Sequence, residues 1–139
     1  MNALDTNVLI HRLDRTDSLK QAKARALVRR LRAAATATVL PWQVLGELVR
    51  QLRLWQDQGR LTRPTLLKYV ATIRKAFPVV MPIPDVMDKA LALAGRYSLS
   101  HWDSMILGAC KVANVTTLYT EDMGAPAVYD GIQLLNPFI

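Results

Sequence analysis

Short β-type runs alternate along the chain with longer stretches in which apolar residues recur at helical spacing. Ala3-Leu4 leads into Asp5-Thr6-Asn7, which reads as a brief strand followed by a polar turn. A helix is predicted from Leu19 to Leu31, with Leu19, Ala22, Ala26, Leu27 and Arg30 running down one side. Thr36 to Leu40 is short and β-type, and Pro41-Trp42 then opens a second helical pattern. In it Val44, Leu45, Leu48, Val49, Leu52 and Trp55 repeat until Gly59. Thr62 before Pro64 marks a further helix start, continuing through Leu67, Val70 and Ile73. Val79-Val80-Met81 forms a third strand, closed by Pro82 and Pro84. Asp85 to Tyr97 and His101 to Val112 read as helices, Thr116 to Tyr119 as a fourth strand and Ile132 to Leu135 as a fifth. This alternation predicts an α/β fold whose mostly parallel sheet, of about five strands, is covered on both faces.

The length of 139 residues suits one domain spanning 1–139, and no linker, repeat or low-complexity run divides it. Cys110 stands alone and His11 and His101 are the only histidines, so neither a disulfide framework nor a Cys/His zinc site is expected. No apolar run is long enough to span a bilayer. The start, Met1 to Asp5, lacks the pattern of a secretory signal, so a soluble cytoplasmic protein is expected. A formal net charge of +7 favours phosphate-rich or acidic partners. The surplus is uneven. Arg12, Arg15, Lys20, Lys23, Arg25, Arg29, Arg30 and Arg32 crowd one segment, whereas no Lys or Arg follows Lys111.

Ligands of an open parallel sheet bind beyond the carboxyl ends of its strands. Three acids are placed there by topology: Asp5 after the first strand, Glu47 early in the helix after the second, and Asp122 with Glu121 after the fourth. Asp103 lies in the first turn of a helix leading into a strand, so it begins at the opposite edge unless that helix is tilted or set back. Each has a plainer reading. Asp103 follows Ser100 at capping-box spacing, Glu47 borders an apolar stripe, and Glu121-Asp122 before Met123-Gly124 suits a turn. Asp5 is harder to dismiss, because a carboxylate at the end of a central strand needs a partner or a metal. Asp85 and Asp88 suit a helix start, and Asp130-Gly131 a turn before a strand. Gathered carboxylates repel unless a cation joins them; with oxygen ligands alone, Mg²⁺ or Mn²⁺ fits better than zinc. A carboxylate-held metal in a basic protein points to phosphodiester hydrolysis.

The segment Leu4-Asp5-Thr6-Asn7-Val8-Leu9-Ile10 resembles the opening motif of PIN domains. Glu47 within Leu45-Gly46-Glu47-Leu48 matches that family's second acid, Trp102-Asp103-Ser104-Met105-Ile106 resembles its third motif, and Leu118-Tyr119-Thr120-Glu121-Asp122-Met123 its fourth. Gly131 to Phe138 is similar to the closing segment of VapC-type toxins, so the resemblance runs from about Ala3 to Phe138. It implies a three-layer α/β/α fold and a Mg²⁺- or Mn²⁺-dependent endoribonuclease whose catalytic and metal-holding acids are Asp5, Glu47, Asp103 and Asp122. In that family the helix start bearing Asp103 reaches the same pocket. Thr6, Asn7 and Ser104 are implied as polar support. Where many relatives carry a further Asp, this chain has Met123, Gly124 and Ala125; Glu121 is thus an alternative that could share or replace the role of Asp122, and Asp122 is favoured. The VapC type further implies a toxin that cleaves cellular RNA, a homodimer and a VapB-type antitoxin partner.

Arg25, Arg29 and Arg32 share one helical side, suited equally to RNA contact or to a solvated face. Trp42, Trp55 and Trp102 lie at helical-stripe positions that favour core packing over base stacking. A haloacid-dehalogenase site needs a second Asp where this chain has Asn7, and no glycine-rich phosphate loop is present. A non-catalytic RNA-binding module and a DNA-directed nuclease on the same fold stay open alternatives, separable by divalent-dependent cleavage of matched substrates.

Overall fold

The computed structural model describes residues 1–139 as a six-stranded sheet of order β3-β2-β1-β4-β6-β5, with six helices. The strands are β1 (Asn2–Leu4), β2 (Thr38–Pro41), β3 (Val79–Val80), β4 (Thr117–Tyr119), β5 (Ala127–Tyr129) and β6 (Ile132–Leu135). The helices are α1 (Thr6–Leu13), α2 (Ser18–Ala33), α3 (Trp42–Asp57), α4 (Arg63–Ala76), α5 (Pro84–Arg96) and α6 (His101–Val112). All pairings are parallel except β5–β6. The α/β architecture with a mostly parallel sheet thus agrees with the expectation from alternation, with one strand more than the pattern showed.

That additional strand is the edge hairpin. Tyr129 pairs with Ile132 across Asp130-Gly131, and both turn residues have positive φ (47° and 83°), the geometry of a two-residue hairpin turn. Asp-Gly serves this turn because glycine takes such a φ without steric cost and Asp tolerates it better than most residues. The other departures are in helices. Asp5-Thr6-Asn7 is no turn; Asp5 has extended backbone and its side chain accepts from the Thr6 amide as the N-cap of α1. In α2 the buried positions are Ala24, Leu27, Val28 and Leu31, while Leu19 is exposed, so the apolar stripe is rotated from the predicted one. Trp55 is buried, as expected, but Trp42 and Trp102 are 49% and 61% exposed and leave the core. Both stand in the first turn of a helix and line one apolar cavity with Val80, Met81 and Met105.

Strand β1 lies at the centre. Ala3 and Leu4 are fully buried, and they join a continuous core with Val39, Leu40, Leu48, Leu52, Leu107, Leu118 and Leu134. Connections step from β1 to β2 to β3 on one side, then cross to β4 on the other, so the strand order reverses between β1 and β4. Such a reversal is where, in doubly wound sheets, a crevice forms at the strand ends and takes ligands. Helix α6 is held against α5 by an unusually close approach at Gly108: an added Cβ would lie 2.6 Å from the Val86 carbonyl oxygen and 3.0 Å from the Ala90 nitrogen. No helix is long and apolar enough to cross a membrane.

Candidate active site at the β1–β4 crevice

Asp5 follows directly from β1, and its amide donates to the Tyr119 carbonyl of β4 (3.0 Å), which fixes it at the reversal point. The residue is only 4% exposed. Its Oδ1 accepts from the Thr6 amide (2.7 Å), and its Oδ2 from the Thr120 hydroxyl (2.7 Å) and the Asn7 amide group (3.3 Å). Burial pushes the Asp5 carboxyl up to about 6; the Thr120 and Thr6 hydrogen bonds oppose that rise, and the charges of Glu47 and Asp122 add to it.

The first turn of α1 ties the neighbouring acids to Asp5. Thr6 Oγ1 donates to Glu47 Oε2 (2.6 Å), across from α3. Asn7 Nδ2 lies 3.1 Å from Asp122 Oδ2 and 3.2 Å from Thr120 Oγ1, and Asn7 Oδ1 accepts from the Glu121 amide (3.3 Å). One asparagine thereby spans the ends of β1 and β4. Thr120, fully buried, also accepts from the Asp122 amide (3.0 Å). Glu47 is held from its other side by Gln43, one helical turn earlier, whose Nε2 donates to Glu47 Oε1 (2.8 Å) and to the Trp102 carbonyl (3.2 Å).

That last bond ties the start of α6, where Asp103 is the third residue, to Gln43 of α3 rather than leaving it at the far edge of the sheet. Ser100 caps the helix by accepting from the Asp103 amide (3.2 Å). The Asp103 side chain is half-buried and joins none of the hydrogen bonds among Asp5, Glu47 and Asp122. Ser104 is buried and donates to the Ser100 carbonyl (2.8 Å), supporting α6 and not the acids. Glu121 points away, held by Lys20 Nζ (2.9 Å) and His11 Nε2 (2.8 Å). Partial burial opposes its ionisation, but Lys20 and His11 outweigh that and keep its carboxyl below the usual range. The structure therefore links Asp5, Glu47 and Asp122 through Thr6, Asn7 and Thr120, leaves Asp103 outside those bonds on the tied start of α6, and engages Glu121 elsewhere.

Two contributors were not singled out from sequence. Thr120 is the last residue before the Glu121-Asp122 pair, and its position at a strand end next to a buried carboxylate is the signal that points to it. Gln43 carries the weaker signal of lying four residues before Glu47.

Every partner of Asp5, Glu47 and Asp122 is a neutral donor; no Lys, Arg or His side chain bonds to any of them. Three carboxylates with oxygen donors only and no balancing cation fit a hard divalent ion. No three of the acidic side chains come close enough together to grip an ion by themselves. An ion held here would have to keep several of its waters, as Mg²⁺ does.

No curated protein matches the chain in sequence. Among solved structures, the chain is similar to a toxin–antitoxin complex from Klebsiella pneumoniae, at 20% identity and TM-score 0.67, covering 99% of this chain and 98% of that one. It is similar also to VapC20 of Mycobacterium tuberculosis, a sarcin–ricin loop cleaving toxin, at 16% identity and TM-score 0.68, covering 96% and 99%. VapBC2 from Rickettsia felis, bound to a promoter DNA fragment, aligns at 12% identity and TM-score 0.66 over 96% of each chain. These likenesses establish a shared fold. The sequence model of the PIN domain matches residues 3–130, a span that takes in Asp5, Glu47, Asp103 and Asp122 together, and the chain belongs to the PIN domain family.

Proposed function

We propose that this protein is a divalent-metal-dependent endoribonuclease, the toxin of a VapC-type toxin–antitoxin pair, acting in the cytoplasm. The observation that carries the reading is the buried Asp5, linked through neutral donors to Glu47 and Asp122 with no cation to offset them. Membership of the PIN family supports nuclease chemistry, and the fold shared with VapC20, a toxin that cleaves the sarcin–ricin loop, supports RNA as the substrate. Asp5, Asp103 and Asp122 would hold Mg²⁺ or Mn²⁺, with Glu47 completing the site. The ion, when bound, supplies an activated water and charge stabilisation at the phosphodiester.

The chain's own groups set the rest. Thr6 holds Oδ1 of Asp5, and Thr120 with Asn7 holds Oδ2, so the carboxylate is fixed with one acceptor position left on Oδ1. Asp122 is exposed, and its Oδ1 accepts no intramolecular hydrogen bond. Glu47, oriented by Thr6 and Gln43, would serve as the proton acceptor of the reaction. The two complexes of toxin with antitoxin among the structural neighbours support a VapB-type partner. Exposed Trp42, Met81 and Trp102 line one apolar face together with Gln43, of the kind that a homodimer covers.

The test is cleavage of total RNA by the purified protein with Mg²⁺, with EDTA, and with Asp5→Asn or Asp103→Ala replacing the parent chain. Divalent-dependent products that both variants lose are expected. Full activity in a folded Asp5→Asn protein, or products formed equally in EDTA, overturns the proposal. Matched DNA substrates and light scattering check the substrate class and the dimer.

A further inference from the structure

Away from the carboxylates, a cavity of about 470 Å³ is lined by Arg12, Arg25, Val28, Arg29, Arg32 and Ala33. It lies where the last turn of α1 faces the second half of α2. Arg25, Arg29 and Arg32 follow at helical spacings of four and three, which stacks their charges on one side of α2. Like charges so placed repel. None of the four guanidinium groups forms an ion pair or donates to another side chain. The nearby acids are engaged: Asp14 with Thr16 and Arg60, and Asp17 as the cap of α2. Arg12 is half-buried, and burial together with Arg25 and Arg32 lowers its affinity for its own proton. A concave set of four unopposed arginines is thus incomplete without an anion.

We propose that this cavity is a second phosphate-binding site, which holds the backbone of the RNA strand at a distance from the bond being cut. Guanidinium groups offer paired donors that match phosphate oxygens, and four of them suit a run of phosphates better than a single ion. Only Val28 and Ala33 contribute apolar wall, too little to anchor the side chains of an acidic peptide. Arg12 lies six residues along α1 from Thr6, about 9 Å of helix rise, so one strand can pass from the crevice along α1 into the cavity. The site rests on the ribonuclease reading for its substrate, but its binding is separable from cleavage.

The experiment uses the double variant Arg25→Gln/Arg29→Gln, both positions being exposed and free of partners, so that the fold is left intact. Binding of a single-stranded RNA oligonucleotide is measured in EDTA, where no cleavage occurs, over a series of salt concentrations. Roughly tenfold weaker binding is expected at moderate salt. The slope of log K against log salt should fall by about 1.4, from ~0.7 for each of two neutralised phosphates. In Mg²⁺, the variant should raise KM for a long RNA while cleaving a trinucleotide at the parent rate. Unchanged RNA affinity and salt slope overturn the proposal, as does a poly-glutamate peptide that binds the parent more tightly than RNA does. If the parent binds RNA through these arginines yet cleaves nothing, the phosphate site stands and the nuclease reading fails.

Discussion

Replacing Asp5 by Asn separates the cost of the site from its chemistry. Burial and the charges of Glu47 and Asp122 lift the Asp5 carboxyl from 3.8 to about 6 in the fold. Such a lift corresponds to about 3 kcal/mol against the ionised form. The native state holds the proton more tightly than the unfolded chain, so this group's contribution to stability is complete below pH 3.8 and is lost as pH rises through about 6. Asparagine carries no charge and removes that loss. It also brings an amide NH₂ to the Oδ2 position, where Thr120 and Asn7 both donate, and this mismatch costs about 1–2 kcal/mol. Asp5→Asn is therefore expected to be slightly less stable than the parent near pH 4, and about 1–2 kcal/mol more stable at pH 7.5, without divalent ions. Urea unfolding of both proteins at several pH values measures the difference directly, and other titrating groups largely cancel. A difference that stays flat between pH 4 and 7.5 would refute the account of Asp5 as a desolvated, unpaired carboxylate. Mg²⁺ should stabilise the parent and leave the variant unmoved.

Thr120→Val removes the hydroxyl that donates to Asp5 and accepts from Asp122 and Asn7, so a loss of about 1–2 kcal/mol in urea unfolding is expected, together with an activity profile shifted to higher pH. Thr120→Ser should restore both. Cys110 is buried and its thiol is pushed up to about 12, so it should resist thiol reagents at pH 8 until the protein is unfolded. Glu121→Gln breaks a partly exposed contact with Lys20 and His11; a stability change within about 1 kcal/mol and retained cleavage are expected, in contrast to Asp122→Asn, which should lose cleavage.

The positions of Asp5, Glu47 and Asp122 were legible because topology delivers them: each follows a strand, and a parallel sheet aligns those ends on one edge. Asp103 was not, since its approach depends on how α6 is set back, which tertiary packing decides. Helix α1 was hidden because its cap and first turn are the polar site residues themselves, so the sequence there has the composition of a turn. Strand β5 was hidden by its brevity, and only the Asp130-Gly131 turn advertised the hairpin. The exposure of Trp42 and Trp102 escaped periodicity, which reports the stripe of a helix but not how deeply each turn of it is covered.

The close approach at Gly108 reaches further than packing. Helix α5 supplies no group to the crevice, yet its Val86 and Ala90 determine how near α6 can sit, and Asp103 rides on that helix five residues upstream. Where a methyl group would stand, there is only a hydrogen. A substitution there would lever the whole helix outward and carry Asp103 with it, so on the proposed ribonuclease reading a position that touches no substrate would behave in a functional screen as though it did.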